Sequence, residues 1–203
     1  MKLYFSPGAC SLSPHIVLLE SGLKFDTERV NLATKRTAGG DDYYTINPKG
    51  YVPALELDDG QLLTEGPAIV QYLADLVPDK RLAPRAGTME RYRLMEWLNF
   101  IASEIHKAFG PLFKAQSTEA SKQAARDVLA KRFDFVSQRL QLSSFLGGEQ
   151  FSVADAYLFT VLHWCSRVGI DLGRWPALQA YQTRIANRPA VYAALMMEGQ
   201  IQL

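Results

Sequence analysis

Short apolar runs separated by turn signals fill the first part of the chain, and long stretches with helical spacing fill the rest. Lys2-Leu3-Tyr4-Phe5 reads as a short strand, and Ser6-Pro7-Gly8 breaks it as a turn. Ser11 or Ser13 can cap a helix that has Pro14 in its first turn. Ile16-Val17-Leu18-Leu19 continue that helix and Gly22 stops it. Phe25 to Val30 alternates as a second strand. A polar loop from Asn31 to Asn47 holds one short helix around Asp42 to Ile46, and Asn47-Pro48-Lys49-Gly50 is a turn. Ala54 to Leu57 and Gln61 to Thr64 read as a hairpin around Asp58-Asp59-Gly60. Glu65-Gly66-Pro67 then opens a helix whose apolar face is Ala68, Ile69, Tyr72, Leu73 and Leu76. The order βαβ(α)ββα predicts a thioredoxin-like unit, a small sheet with helices on both faces.

After a Pro- and Gly-containing stretch from Val77 to Thr88 the pattern becomes helical only. Met89 to Phe109 is one long amphipathic segment, which Gly110-Pro111 kinks or ends. A second long helix runs from Thr118 to about Leu142. Ser152-Val153-Ala154-Asp155 resembles a capping box opening a helix from Ala156 to Val168. Trp175-Pro176 and Arg188-Pro189 start two more helices. The predicted architecture is an α/β domain over 1–80, a linker over 81–88 and an all-helical domain over 89–203.

At about 100° per residue, Asn99, Ser103, His106 and Lys107 share one side of the Met89–Phe109 helix. Leu94, Trp97, Leu98, Ile101, Ile105 and Phe109 fall on the other side. The polar stripe reads as a solvated outer face or as one wall of a site. His106 is its chemically interesting member, because a histidine near a thiolate can hold or shuttle its proton. The sequence leaves open whether His106 faces a cysteine.

Bulk properties narrow the classes. The chain of 203 residues is 48% hydrophobic and 21% charged, with a net charge of +1. That is ordinary for a globular protein and gives no field to recruit nucleic acid or an anionic membrane. No run of about 20 apolar residues suggests a membrane span. Two cysteines, Cys10 and Cys165, lie far apart and suggest a reducing, cytoplasmic setting. The three histidines are isolated and no metal-ligand spacing occurs, so no metal is expected.

Cys10 stands where a strand hands over to a helix N-terminus. Free N–H groups and the positive end of the helix dipole favour an anion there, which can lower a cysteine pKa below about 8.5. The alternative is a small buried cysteine in a turn. In Cys10-x-x-Ser13 the serine leaves a single thiol, so disulfide chemistry would need an external partner.

Over essentially its whole length the chain resembles the cytosolic glutathione S-transferases, in particular the bacterial beta class. The resemblance rests on the segment Lys2 to Ser13, on Asn47-Pro48-Lys49-Gly50-Tyr51-Val52-Pro53-Ala54-Leu55 and on Leu63 to Ile69. Trp97-Leu98-Asn99-Phe100, Glu104-Ile105-His106-Lys107 and Phe151 to Tyr157 extend it. It implies an enzyme that conjugates glutathione, its co-substrate, to apolar electrophiles, with no tightly bound cofactor. It implies a cis bond before Pro53, which presents the Val52 backbone to the cysteinyl part of glutathione. Glu65 and Gly66 would take the γ-glutamyl end, and Lys35 would approach the glycyl carboxylate. Asn99, His106 and Lys107 would reach into the same cleft, with Ala9, Tyr51 and Ser103 completing the expected binding set. Glu104 would reach the neighbouring subunit's glutathione in a homodimer. The family organises this chemistry around the cysteine, so Cys10 and His106 are the expected catalytic residues. Ser11 is a candidate second donor to the sulfur, and Tyr4 is structural. Glutathione-dependent thiol–disulfide exchange through Cys10 is expected alongside conjugation. The pocket for the apolar substrate is expected between the Ser6–Ala9 loop and the helix around Phe109 to Phe113. The alternatives are a non-catalytic glutathione-binding or interaction protein and a glutaredoxin-like monothiol oxidoreductase.

Overall fold

The structure is a computed structural model and describes residues 1–201. It divides into two compact units: Met1–Ala83 together with the stretch from Asn187 onward, and Pro84–Ala186. The last helix was expected to lie with the helical domain, and it packs with the first unit instead.

The first unit is built on a five-stranded sheet of order β3-β2-β1-β4-β5. Its strands are β1 (Lys2–Phe5), β2 (Asp26–Asn31), β3 (Arg36–Thr37), β4 (Ala54–Glu56) and β5 (Leu62–Thr64). β1 runs parallel to β2 and antiparallel to β4, so the sheet is mixed. The two-residue β3 was hidden inside a polar loop. Alternation along β1 sends side chains to both faces. Tyr4 joins Val30, Tyr43, Val52 and Ala54 in one buried cluster. Phe5 instead lies 5.8 Å from the ring of His15, which belongs to α1 (Leu12–Ser21). The short α2 (Tyr43–Ile46) starts at Asp42, whose carboxylate accepts the Tyr44 N–H. Both faces of the sheet are thus covered, and α3 (Gly66–Asp75) packs beside α1.

Helix α1 ends as its sequence predicts: Gly22 adopts φ +73°, and its N–H caps Leu18 O. Its start does not. Neither Ser11 nor Ser13 caps through its hydroxyl. The Ser11 Oγ donates to Ser6 O at 3.2 Å and accepts the Ser6 N–H at 3.1 Å, holding the turn before the helix.

In the second unit α4 (Met89–Phe100) begins at Thr88, whose hydroxyl accepts the Arg91 N–H. The helix does not continue uniformly to Phe109. A π-helical turn spans Ile101–His106, a 3-10 turn spans Lys107–Phe109, and α5 (Gly110–Phe113) follows. Ile101, Ile105 and Phe109 remain fully buried, so the apolar face survives the change of winding. The long α6 (Glu119–Gln141), α7 (Val153–His163) and α8 (Pro176–Ala186) complete this unit. Buried Asp155 ties α7 down: its carboxylate accepts from the Ser152 N–H, the Ser152 hydroxyl, the Leu146 N–H and the Tyr181 hydroxyl. Burial raises the pKa of this carboxyl, and the four donors pull against that rise. The last helix, α9 (Pro189–Met197), lies along α1 in the first unit. Among the described residues no helix is long and apolar enough to cross a membrane.

Candidate active site

Cys10 ends the Ser6–Ala9 turn just before α1. Its thiol donates to Val52 O at 3.3 Å. Val52 precedes Pro53, and the peptide bond between them is cis, as expected. The side chain is partly exposed, yet burial pushes the thiol up to about 12. Its own N–H and that of Ser11 pull the other way, and the Glu65 carboxylate adds to the rise. The expected lowering is therefore reversed: the helix N-terminus acts in the predicted direction, and desolvation outweighs it. Ser11 supports the sulfur through its backbone, because its hydroxyl is committed to Ser6.

The other candidates of the first unit border one another. Tyr51 is 71% exposed, and its carbonyl is held by the Tyr43 hydroxyl and the Asn47 amide. Lys35 donates to Gly50 O at 2.8 Å, with its ammonium 5.5 Å from the Tyr51 ring centre. Gly50 must be glycine: it adopts φ +66°, and a Cβ would meet the Tyr44 ring at 2.6 Å. Lys49, which the sequence placed only in a turn, donates to Glu65 at 2.7 Å and to Thr64 at 3.0 Å. Glu65 caps α3 with φ +71°, and Lys35 has φ +55°. Positive φ at a non-glycine residue is strained backbone, on the order of 1–3 kcal/mol. Arg81, outside the predicted binding set, shares this feature with φ +54°. Gly66 begins α3, so its backbone joins the free N–H groups of that helix. Ala9 is half-buried beside Cys10.

In the second unit Asn99, Ser103 and Lys107 are exposed along one line, and the Ser103 hydroxyl donates to Asn99 O. His106 leaves that stripe. Its Nδ1 lies 2.7 Å from the Tyr157 hydroxyl, and its ring centre lies 4.8 Å from that of Trp164. The π turn ends at His106, and uniform 100° spacing does not describe its direction. Burial, with some help from neighbouring Lys107, lowers its pKa to about 4, so it is a neutral imidazole at pH 7. Tyr157 and Trp164, more than 50 residues away in sequence, carried no sign of this contact. Glu104 is paired within its own chain, accepting from Arg132 Nε at 3.0 Å and Nη2 at 2.7 Å. Of the two phenylalanines expected near the apolar substrate, Phe109 is core and Phe113 is 46% exposed. Tyr4 donates to Glu56 at 2.6 Å, in keeping with its structural reading.

A mixed sheet, a helix N-terminus bearing a cysteine and a facing cis-proline loop define a thioredoxin-like domain. Comparison with known proteins narrows this further. Residues 8–76 match the glutathione S-transferase N-terminal domain, and residues 100–189 match the glutathione S-transferase C-terminal domain. The chain is 49% identical to glutathione S-transferase GstA of Escherichia coli O157:H7, over 98% of this chain and 99% of that protein. Among solved structures it is similar to the bacterial beta class glutathione S-transferase of Sphingomonas chungbukensis (52% identity, TM-score 0.96, 99% of this chain and 100% of that one). It is equally similar in fold to a sphingomonad glutathione S-transferase complexed with glutathione (48% identity, TM-score 0.96, 99% and 100% covered). The chain therefore belongs to the glutathione S-transferase family, among its bacterial members.

Proposed function

We propose that the protein conjugates glutathione to apolar electrophiles, with Cys10 acting mainly as a hydrogen-bond donor to the glutathione sulfur. The observation that carries this is the Cys10 thiol at the head of α1, 3.3 Å from Val52 O beside the cis-proline. Its S–H, now directed to Val52 O, can turn to a glutathione thiolate, and the Cys10 and Ser11 N–H groups lie on the same side. Val52 offers its backbone to the cysteinyl part of glutathione. Glu65, Gly66 and Lys49 offer charges and N–H groups to the γ-glutamyl end, and Lys35 with Tyr51 borders the glycyl end. In the chemical step the glutathione thiolate attacks the carbon bearing a leaving group. A C–S bond forms, and the leaving group departs with the electrons of the broken bond.

Thiol–disulfide exchange is the second activity of the same residue. The Cys10 thiolate attacks oxidised glutathione, the S–S bond breaks, and one glutathione leaves as thiolate. With a thiol pushed to about 12, roughly 10⁻⁵ of Cys10 is thiolate at pH 7, against a few per cent for an ordinary cysteine. Greater nucleophilicity of the thiolate recovers only part of that, so burial slows exchange relative to an exposed thiol. Neutral His106, fixed by Tyr157, orients substrate rather than carrying a charge.

A homodimer belongs to this reading. Glu96, Trp97, Phe100, Arg132 and Phe135 line an open groove of about 390 Å³ in the second unit. Trp97, Phe100 and Phe135 pack ring against ring there, with Phe135 52% exposed. A second copy would cover it beside Glu104.

The test is conjugation of glutathione to an aryl halide by the wild type and by Cys10→Ala, with intact mass recorded for both. Wild-type turnover with a reduced rate in the mutant supports the reading. A wild type that neither conjugates nor binds glutathione overturns it.

A further inference from the structure

The Ser6–Ala9 turn is held from a distant part of the chain. Glu198, the C-cap of α9, has a side chain with no solvent exposure. Its Oε2 accepts the Gly8 N–H at 3.0 Å, and its Oε1 lies 2.9 Å from His15 Nδ1. His15 is equally buried, between the rings of Phe5 and Phe25 at 5.8 Å each. Facing a carboxylate, its Nδ1 carries the proton and donates. Its Nε2 has no hydrogen-bond partner among the described residues.

Stability does not account for this arrangement. A carboxylate at a helix C-terminus opposes the helix dipole. A buried carboxylate also loses its hydration, and a buried pair is often no better than an apolar pair of the same volume. Docking of α9 onto α1 has a separate ion pair, Arg188 donating twice to Glu20 at 2.6 and 3.0 Å. What Glu198 adds is its grip on Gly8, two residues before Cys10. Gly8 adopts φ +69°, so the turn reverses direction at the atom Glu198 holds. Ser11 pins the other end of the turn through Ser6. The sulfur and the Cys10 and Ser11 N–H groups that face it follow closely on Gly8 in the chain.

We infer that Glu198, oriented by His15, is a positioning residue: it fixes the Gly8 backbone and so sets the direction and environment of the Cys10 thiol. The inference rests on the reading of Cys10 as part of the glutathione site only for its effect on turnover. Its effect on the thiol itself can be measured separately.

The experiment compares Glu198→Gln with Arg188→Ala, each checked for folding by circular dichroism and thermal unfolding. Glutamine keeps the size and one acceptor but cannot accept from both Gly8 and His15. The first readout is the rate of Cys10 alkylation by iodoacetamide across pH, and the second is kcat and KM for glutathione with an aryl halide. Glu198→Gln is expected to change the alkylation rate and kcat/KM by about ten-fold, the loss of roughly one buried hydrogen bond. Arg188→Ala, which loosens α9 without touching the turn, should keep wild-type values per folded molecule. Wild-type alkylation and kinetics in folded Glu198→Gln would overturn the inference, as would equal changes in both variants at equal loss of thermal stability. If Cys10→Ala keeps full activity, the glutathione-site reading falls. An altered alkylation rate in Glu198→Gln would still establish the positioning role.

Discussion

The two cysteines sit in different regions and carry the same shift for different reasons. Burial pushes both thiols up to about 12. At Cys165 burial is the whole cause, and the residue is 1% exposed just beyond the end of α7. At Cys10 burial is opposed by two backbone N–H groups, and the side chain is partly exposed. A resting pKa alone therefore does not separate a reactive thiol from an inert one. What separates them is whether donors already point at the sulfur and whether a second molecule can reach it.

The largest difference should appear in alkylation. With iodoacetamide the folded protein should label at Cys10 roughly 1,000-fold faster than at Cys165, which must wait for local unfolding. Peptide mass mapping after timed labelling measures the ratio, and comparable rates would erase the distinction. Next, the Cys10 rate should rise about ten-fold per pH unit from 7 to 10 without levelling near 9. Folding stability has the matching sign. The folded chain keeps both protons after the unfolded chain loses its own near 8.5–9, so stability falls as pH rises from about 9 toward 12.

His106 extends the comparison to the acid side. The unfolded chain takes up a proton near pH 6.5, and folded His106 does so only at about 4. Stability contributed by neutral His106 is present above 6.5 and is lost as pH falls toward 4. His106→Asn should remove that part of the acid destabilisation in thermal unfolding at pH 7 and pH 4.5, and should lower kcat about ten-fold if its hydrogen bond orients substrate. A kcat limb at pH 6.5 in the wild type would contradict a neutral, buried ring. The smallest effect is at Cys165: Cys165→Ala should cost about 1 kcal/mol and leave kcat/KM unchanged. Lost turnover there would mean the wrong thiol has been chosen.

Much of the site was legible because its local elements are local in cause. The strand–turn–helix around Cys10, Gly22 as a helix stop and Pro53 in its loop follow from neighbouring residues. The direction of the Cys10 shift was not legible, because desolvation depends on what the fold packs around the sulfur. His106 was placed with Asn99 and Lys107 by uniform helical spacing, and the π turn Ile101–His106 removed that premise. Lys49 read as part of a turn, and only folding brought it to Glu65. Glu198 gave no signal at all, since it lies 190 residues from Gly8.

By itself the sequence determined the class of protein. Apolar periodicity and turn residues predict a small sheet with helices followed by an all-helical region, and the family resemblance carried by the motifs around Cys10, Pro53 and Glu65 implies glutathione as the co-substrate. Only the tertiary structure decided the protonation of Cys10, the inward turn of His106 and the return of α9 to the first unit. These depend on burial and on contacts between residues distant in sequence, and no local pattern carries either.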